Sequence, residues 1–167
     1  RAAFAATQCV LTPLPLRCDR TMLSQALTNL LKNAGEAVEA RLATRPEPPG
    51  RVRLELRRDA ESAEIRVIDN GVGLPETGRA RLLEPYVTTR EKGTGLGLAI
   101  VKKIAEEHGG AFALEDAPLD PGAPADRPRG AMAVIRLPLA GKGGGAKQQT
   151  PAKPGASETE AGGPKDG

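Results

Sequence analysis

Between Glu84 and Gly110 a polar run, Thr88 to Lys92, passes into glycines at 93, 95 and 97. An apolar pattern then begins at once, with Leu96, Ile100, Val101, Ile104 and Ala105. That spacing predicts a helix from about Leu96 that ends before Gly109. Glycines ahead of a helix allow positive φ and close approach of a ligand, and the first-turn N–H groups have no intrahelical partner. A glycine-rich loop opening a helix can therefore hold phosphate. Thr88, Thr89, Arg90 and Lys92 add hydroxyls and positive charge just ahead of it. The expectation is a nucleotide-phosphate site under a lid of about Pro85 to Thr94, mobile without nucleotide.

Two other phosphate motifs fit less well. No Gly-Lys-Ser/Thr closes the glycines, so this is not a P-loop. A dinucleotide fingerprint needs a strand directly before the first glycine, where Arg90, Glu91 and Lys92 stand. Glu115 does fall roughly 20 residues beyond Gly95, where a ribose-binding acid would sit, and this keeps that alternative open.

The 167 residues suffice for one domain with a core. Hydrophobic residues make up 39% but aromatics 2%, so the core must be aliphatic and alanine-rich. Lys and Arg total 24 against 21 acids, with the signs interspersed. No basic stripe with aromatics points to nucleic acid. Cys9 and Cys18 lack metal-type spacing and read as reduced thiols. No apolar run approaches the roughly 18 residues of a membrane span.

Taken in order, residues 1–18 suggest a short strand or two at a sheet edge, because Pro13 and Pro15 cannot donate to a ladder. Asp19 is a plausible N-cap for a helix from Arg20 to about Leu42. At about 100° per residue, Leu23, Leu27, Leu30, Leu31, Ala34 and Val38 form its apolar face, with Asn29, Asn33 and Glu36 on the opposite side. Two asparagines one turn apart are poor helix formers. They read either as a solvated face or as neutral oxygen ligands for a hard cation such as Mg²⁺. Arg51 to Arg58 and Ala63 to Asp69 alternate and predict an antiparallel hairpin, with Val52, Leu54 and Leu56 inward. The hairpin runs into Asp69-Asn-Gly71-Val-Gly73, which is a turn or a carboxylate presented to a ligand. Residues 111–115 and 131–139 predict two more strands around a long loop. The domain should span 1–140, and the Gly/Lys/Pro-rich 141–167 should be a disordered tail.

Asn29-Leu-Leu-Lys-Asn33-Ala, Asp69-Asn-Gly71-Val-Gly73 and Gly93-Thr94-Gly95-Leu96-Gly97-Leu, with Tyr86-Val-Thr-Thr-Arg90 ahead of the last, stand in that order. Together they resemble the N, G1, F and G2 boxes of the catalytic ATP-binding domain of sensor histidine kinases. The run from Glu84 to Val101 is most similar to the nitrogen-regulation kinases of the NtrY type. That family shares the Bergerat ATP fold with type II topoisomerases, heat-shock protein 90 and mismatch-repair MutL. The fold it implies is a two-layer α/β sandwich, a mixed but mostly antiparallel sheet covered on one face by helices.

The resemblance also implies roles. Asp69 would accept from the adenine amino group, with Gly71 and Gly73 letting the backbone pass the base. Asn33 would coordinate Mg²⁺ with Asn29 beside it. Thr88, Thr89, Arg90, Lys92, Gly93, Thr94, Gly95, Leu96 and Gly97 would surround the phosphates of ATP, and Arg90 could meet the γ-phosphoryl. Tyr86 would anchor the lid. Glu36 stands where many members carry a basic residue, so it receives no phosphate contact. In ATP-hydrolysing relatives a water-activating glutamate precedes the metal-binding asparagine by one turn, and here that position is Asn29. His108 would end a helix and not accept phosphate. The acceptor histidine would lie on upstream dimerisation helices, with a response regulator as the further partner. The chain would be a monomeric, cytoplasmic part of a membrane-anchored kinase, without direct membrane or nucleic-acid contact. The alternatives are an ATP hydrolase of the same fold and a nucleotide-sensing or docking module without turnover.

Overall fold

The computed structural model describes residues 16–87, 95–119 and 129–139. Helix α1 runs Arg20–Thr44 and starts where a cap is available: the Asp19 carboxylate accepts from Thr21 and Met22 N–H. Its far end is closed by Arg41. This nearly buried guanidinium donates to the carbonyls of Arg45 (3.0 Å) and Pro48 (2.8 Å), supplying donors to the chain leaving the helix. Strands β1 (Val52–Arg58) and β2 (Ser62–Asp69) form the predicted hairpin, in register Leu54 to Val67 and Leu56 to Ile65. A 3₁₀ turn at Arg79–Leu83 leads towards helix α2 (Gly97–Glu107), and strands β3 (Ala111–Asp116) and β4 (Ala131–Pro138) follow.

The sheet order is β1-β2-β4-β3 and all three pairings are antiparallel. The parallel component of the expected mixed sheet is not among the described strands. Alternation assigns the faces. Ile65 and Val67 of β2, with Ala133, Ile135 and Leu137 of β4, face α1 and α2 and pack on Ala26, Leu30, Ala34, Val101 and Ile104. Each such buried branched aliphatic contributes roughly 1.5–3 kcal/mol, which an aromatic-poor core accumulates in number. The other face carries crossed ion pairs, Glu64 with Arg66 and with Arg136, and Glu55 with Arg53 and Arg57. A small apolar cluster of Ile68, Ala117, Met132 and Val134 lies at one end of that face. This is the two-layer α/β sandwich with helices on one face.

Two details of burial differ from expectation. Leu54 and Leu56 share the helix-facing side with Val67 and Ile65, as alternation requires, yet they are 50% and 38% exposed. β1 is an edge strand of the described sheet, and only Val52 at its start packs on the core beneath the helices. Leu31, assigned to the apolar face of α1, is likewise 43% exposed.

Candidate functional site

A cavity of about 570 Å³ lies between α1, the end of β2 and the start of α2, within the range of small-ligand sites. Asn29, Asn33 and Glu36 line it from α1, Asp69 and Gly73 from the end of β2, and Gly95 and Gly97 from the approach to α2. Asn29 and Asn33 are half-buried at the margin of the buried stripe, not opposite it, and from there they reach the cavity. Lys32, also lining, is 4.0 Å from Glu36.

Asp69 has the same parity in β2 as Ile65 and Val67, so it faces the helix side and is nearly buried. Its Oδ1 accepts from Gly71 N–H (2.8 Å) and Ala131 N–H (3.2 Å). The first bond is an Asx turn that the sequence after β2 makes by itself. The second comes from β4, 62 residues away. Together they fix the orientation of the carboxylate in the wall of the cavity.

The glycines divide into two kinds. Gly71 does not line the cavity. A Cβ there would come within 2.5 Å of the Ala37 carbonyl carbon, and the next N–H, of Val72, donates to Ala37 O at 3.2 Å. Gly71 therefore seats the turn directly on the backbone of α1. Gly73 does line the cavity, at φ +80°, with a Cβ position blocked by the Arg129 carbonyl.

Gly95, at φ +67°, is crossed by the chain at Tyr86 and Val87: a Cβ would lie 2.6 Å from Tyr86 C, and Tyr86 N–H donates to Gly95 O at 3.1 Å. The two ends of the expected lid are thus joined by a backbone hydrogen bond. Tyr86 supplies that bond with a left-handed φ of 65°, unusual for an aromatic residue. Its ring is 79% exposed, so the expected aromatic anchor acts through the backbone.

Gly97 opens α2 opposite Asn33; a Cβ on it would stand 3.8 Å from Asn33 Nδ2. The first-turn N–H groups of an 11-residue helix and a side-chain amide therefore meet at one end of the cavity, with Asp69 in another wall. Leu96 is the N-cap residue of α2 and does not line the cavity. Thr88, Thr89, Arg90, Lys92, Gly93 and Thr94 lie outside the described residues.

A hard cation carried on a nucleotide needs few protein ligands, and Mg²⁺ commonly keeps water and phosphate oxygens for the rest. The amide oxygens of Asn33 and Asn29 fit that need. Among the described residues no group of three or more His, Cys, Asp or Glu side chains could hold a metal by itself. The dinucleotide alternative loses its acid: Glu115 sits on the face of the sheet away from the helices, in register with Met132. The residues directly before Gly95 lie outside the described ones. Sequence reasoning missed Arg41 and the Ala131 N–H, whose roles depend on backbone positions that no local pattern encodes.

A helix-covered antiparallel sheet with this cavity defines a two-layer α/β sandwich with a small-ligand site, and comparison with known proteins identifies its family. The family of histidine kinase-, DNA gyrase B- and HSP90-like ATPases matches residues 18–141, and the chain belongs to it. Within that family it is similar to sensor histidine kinases. The nitrogen regulation protein NtrY of Azorhizobium caulinodans is 59% identical over 115 residues, which is 66% of this chain and 14% of that protein. The solved mycobacterial sensor histidine kinase MprB superposes with a TM-score of 0.60 at 33% identity, covering 74% of each chain. Full-length ShkA, solved in complex with AMPPNP, gives 0.59 at 30% identity, covering 77% of this chain and 24% of that one. The chain thus spans a small part of the length of NtrY and of full-length ShkA. Among the described residues no helix is long and apolar enough to cross a membrane.

Proposed function

We propose that this chain binds MgATP in the cavity between α1 and α2 and presents its γ-phosphoryl to a histidine on upstream dimerisation helices. The observation that carries the reading is the shared cavity wall of Asn29, Asn33, Asp69, Gly73, Gly95 and Gly97. In it Asp69 accepts from the adenine amino group, its orientation set by the Gly71 and Ala131 N–H groups. Asn33, with Asn29 beside it, holds Mg²⁺, which offsets phosphate charge when bound. The first turn of α2 from Gly97 donates N–H groups to phosphate oxygens. Arg90, Lys92 and the threonines 88, 89 and 94 complete the phosphate end from the lid. The complete protein is a two-component kinase whose catalytic part is cytoplasmic and passes phosphate to a response regulator. The domain is residues 1–140, followed by the Gly/Lys/Pro-rich tail 141–167.

Transfer to histidine needs little help from this chain. Neutral imidazole already has a nucleophilic lone pair, whereas water needs a base. Asn29, in the position of that base, cannot take a proton near neutral pH. His108 is held at the far end of α2 and does not serve as acceptor. The hydrolase reading has one observation in its favour: the Glu36 carboxylate lines the cavity one turn beyond Asn33.

The test is to mix the chain with MgATP and a separately produced helical hairpin bearing the acceptor histidine. Acid-labile, alkali-stable phosphate should appear on the hairpin, with negligible ATP hydrolysis by the chain alone. Brisk hydrolysis by the isolated chain, abolished by Asn33→Ala or Glu36→Gln, would replace the kinase reading with the hydrolase.

A further inference from the structure

One wall of the large cavity is the chain between β2 and α2, where Leu74, Pro75, Leu82 and Val87 are lining residues. No strand holds that stretch in place, and its regular part is the 3₁₀ turn Arg79–Leu83. Among the described residues one polar link joins positions 74–83 to another element. Arg79 makes it. Its Nη1 donates to Asp116 Oδ2 and its Nη2 lies against Asp116 Oδ1, both at 3.0 Å, while its Nε donates to Pro75 O at 2.7 Å. A half-exposed ion pair ordinarily contributes little, but a forked guanidinium–carboxylate pair is the exception. Neither Arg79 nor Asp116 lines the cavity; the two segments they join both do. Pro75 is in one wall. Asp116, at the end of β3, is in register with Ala131, which lines another wall and whose N–H fixes Asp69 Oδ1. Just beyond, Ala117 N–H donates to Gly130 O at 2.9 Å and ties the same two strands.

We propose that Arg79 is a positioning residue for the base of the nucleotide: through Asp116 it sets the Leu74–Pro75 wall against the carboxylate of Asp69. The proposal rests on the MgATP reading above. The chemistry of the wall decides which end of the nucleotide it serves. Leu74, Pro75, Leu82 and Val87 offer apolar surface, which suits a purine and not phosphate, and Asp69 is the group assigned to the adenine amino group. Mg²⁺ and the phosphates are assigned instead to Asn33 and the start of α2. Lysine cannot stand in for Arg79. One ammonium does not span both carboxylate oxygens and the Pro75 carbonyl as a planar guanidinium does.

The variants are Arg79→Lys, Arg79→Gln, Asp116→Asn and the Arg79→Gln/Asp116→Asn double. Arg57→Gln is the control, because it breaks the guanidinium–carboxylate pair with Glu55 on β1, away from the cavity. ATP is titrated calorimetrically with and without Mg²⁺, and amide hydrogen exchange is followed without nucleotide. Arg79→Lys, Arg79→Gln and Asp116→Asn should each weaken ATP about three- to tenfold, by the same factor with and without Mg²⁺. The double should bind no more weakly than the singles, since all of them break one link. Exchange should quicken at positions 79–83 and at Ala131. The Arg57→Gln control should match the parent in both measurements. Parent-like affinity of Arg79→Lys, additive losses in the double, a loss confined to the Mg²⁺-bound nucleotide, or unchanged exchange at Ala131 would each overturn the proposal. Absence of MgATP binding by the parent would instead overturn the nucleotide reading, and exchange alone would then decide whether Arg79 holds the two walls together.

Discussion

Helix α2 has two glycine-flanked ends that behave in opposite ways. At its start, Gly95 and Gly97 face a cavity, and the helix opens without a side-chain cap. At its finish, every exit is occupied. His108 N–H donates back to Ile104 and Ala105, Gly109 N–H to Glu106, and Gly110 N–H to Ala105. The imidazole is committed on both sides: Nδ1 lies 2.7 Å from Ile104 O, and Nε2 accepts from Asp19 N–H at 2.8 Å. One ring nitrogen donates and the other accepts, which defines the neutral Nδ1–H tautomer. Eleven residues, about 16 Å, separate the two ends. A glycine-rich sequence around a helix therefore does not by itself indicate ligand. What distinguishes the ends is that one borders a cavity and the other is closed by the chain's own hydrogen bonds.

The largest expected effect lies at the open end. Asn33→Ala should weaken MgATP binding by at least about tenfold and remove most of its Mg²⁺ dependence, with little change in unfolding. Titration calorimetry with and without Mg²⁺ reads this, and parent-like affinity would remove Asn33 from the site. At the closed end, His108→Ala takes away the acceptor for Asp19 N–H. It should lower stability by about 0.5–1.5 kcal/mol in urea unfolding while leaving MgATP affinity alone. If it cost affinity instead, the two ends would not be separable.

Gly97→Ala sharpens the contrast. Its Cβ would make only an ordinary contact with Asn33, so stability should hold or rise by up to about 1 kcal/mol. Weaker MgATP binding in this more stable variant would mean that the glycine serves the ligand.

The smallest effect belongs to neither end. Hydrogen bonds from Arg136 and then Arg66 hold the Glu64 carboxyl below its usual 4.5. A depressed folded pKa contributes stability above the unfolded value, and this is lost as pH falls from about 4.5 through the folded value. Glu64→Gln should flatten that acid limb in urea midpoints taken from neutral pH downward, without moving MgATP affinity.

Local signals carried much of this. Asp19 as N-cap, the β1–β2 hairpin and both helices follow from side chains acting on their near neighbours. Asn29, Asn33, Asp69, Gly73, Gly95 and Gly97, chosen as motifs, line one cavity. What was illegible depends on distant partners. Alternation gave Leu54 and Leu56 the correct face but could not tell that β1 ends the described sheet. Gly71 looked like a ligand-side glycine, yet its neighbour is Ala37 of α1. The sheet-wide antiparallel pairing rests on β4 lying between β2 and β3, an order that no strand states on its own.

That strand order has a consequence for how the chain is made. On a ribosome α1, β1, β2, α2 and β3 all emerge before β4, yet β2 and β3 do not pair with each other and are joined only through it. Ile65 must wait for Ile135, 70 positions later, and such late, non-local closure slows folding. Until then the nascent chain carries two unpaired inner edges of the kind that invites association with other chains. Asp69 also lacks the Ala131 N–H that completes its orientation. Synthesis of one strand thus closes the sheet and finishes the binding site in the same event.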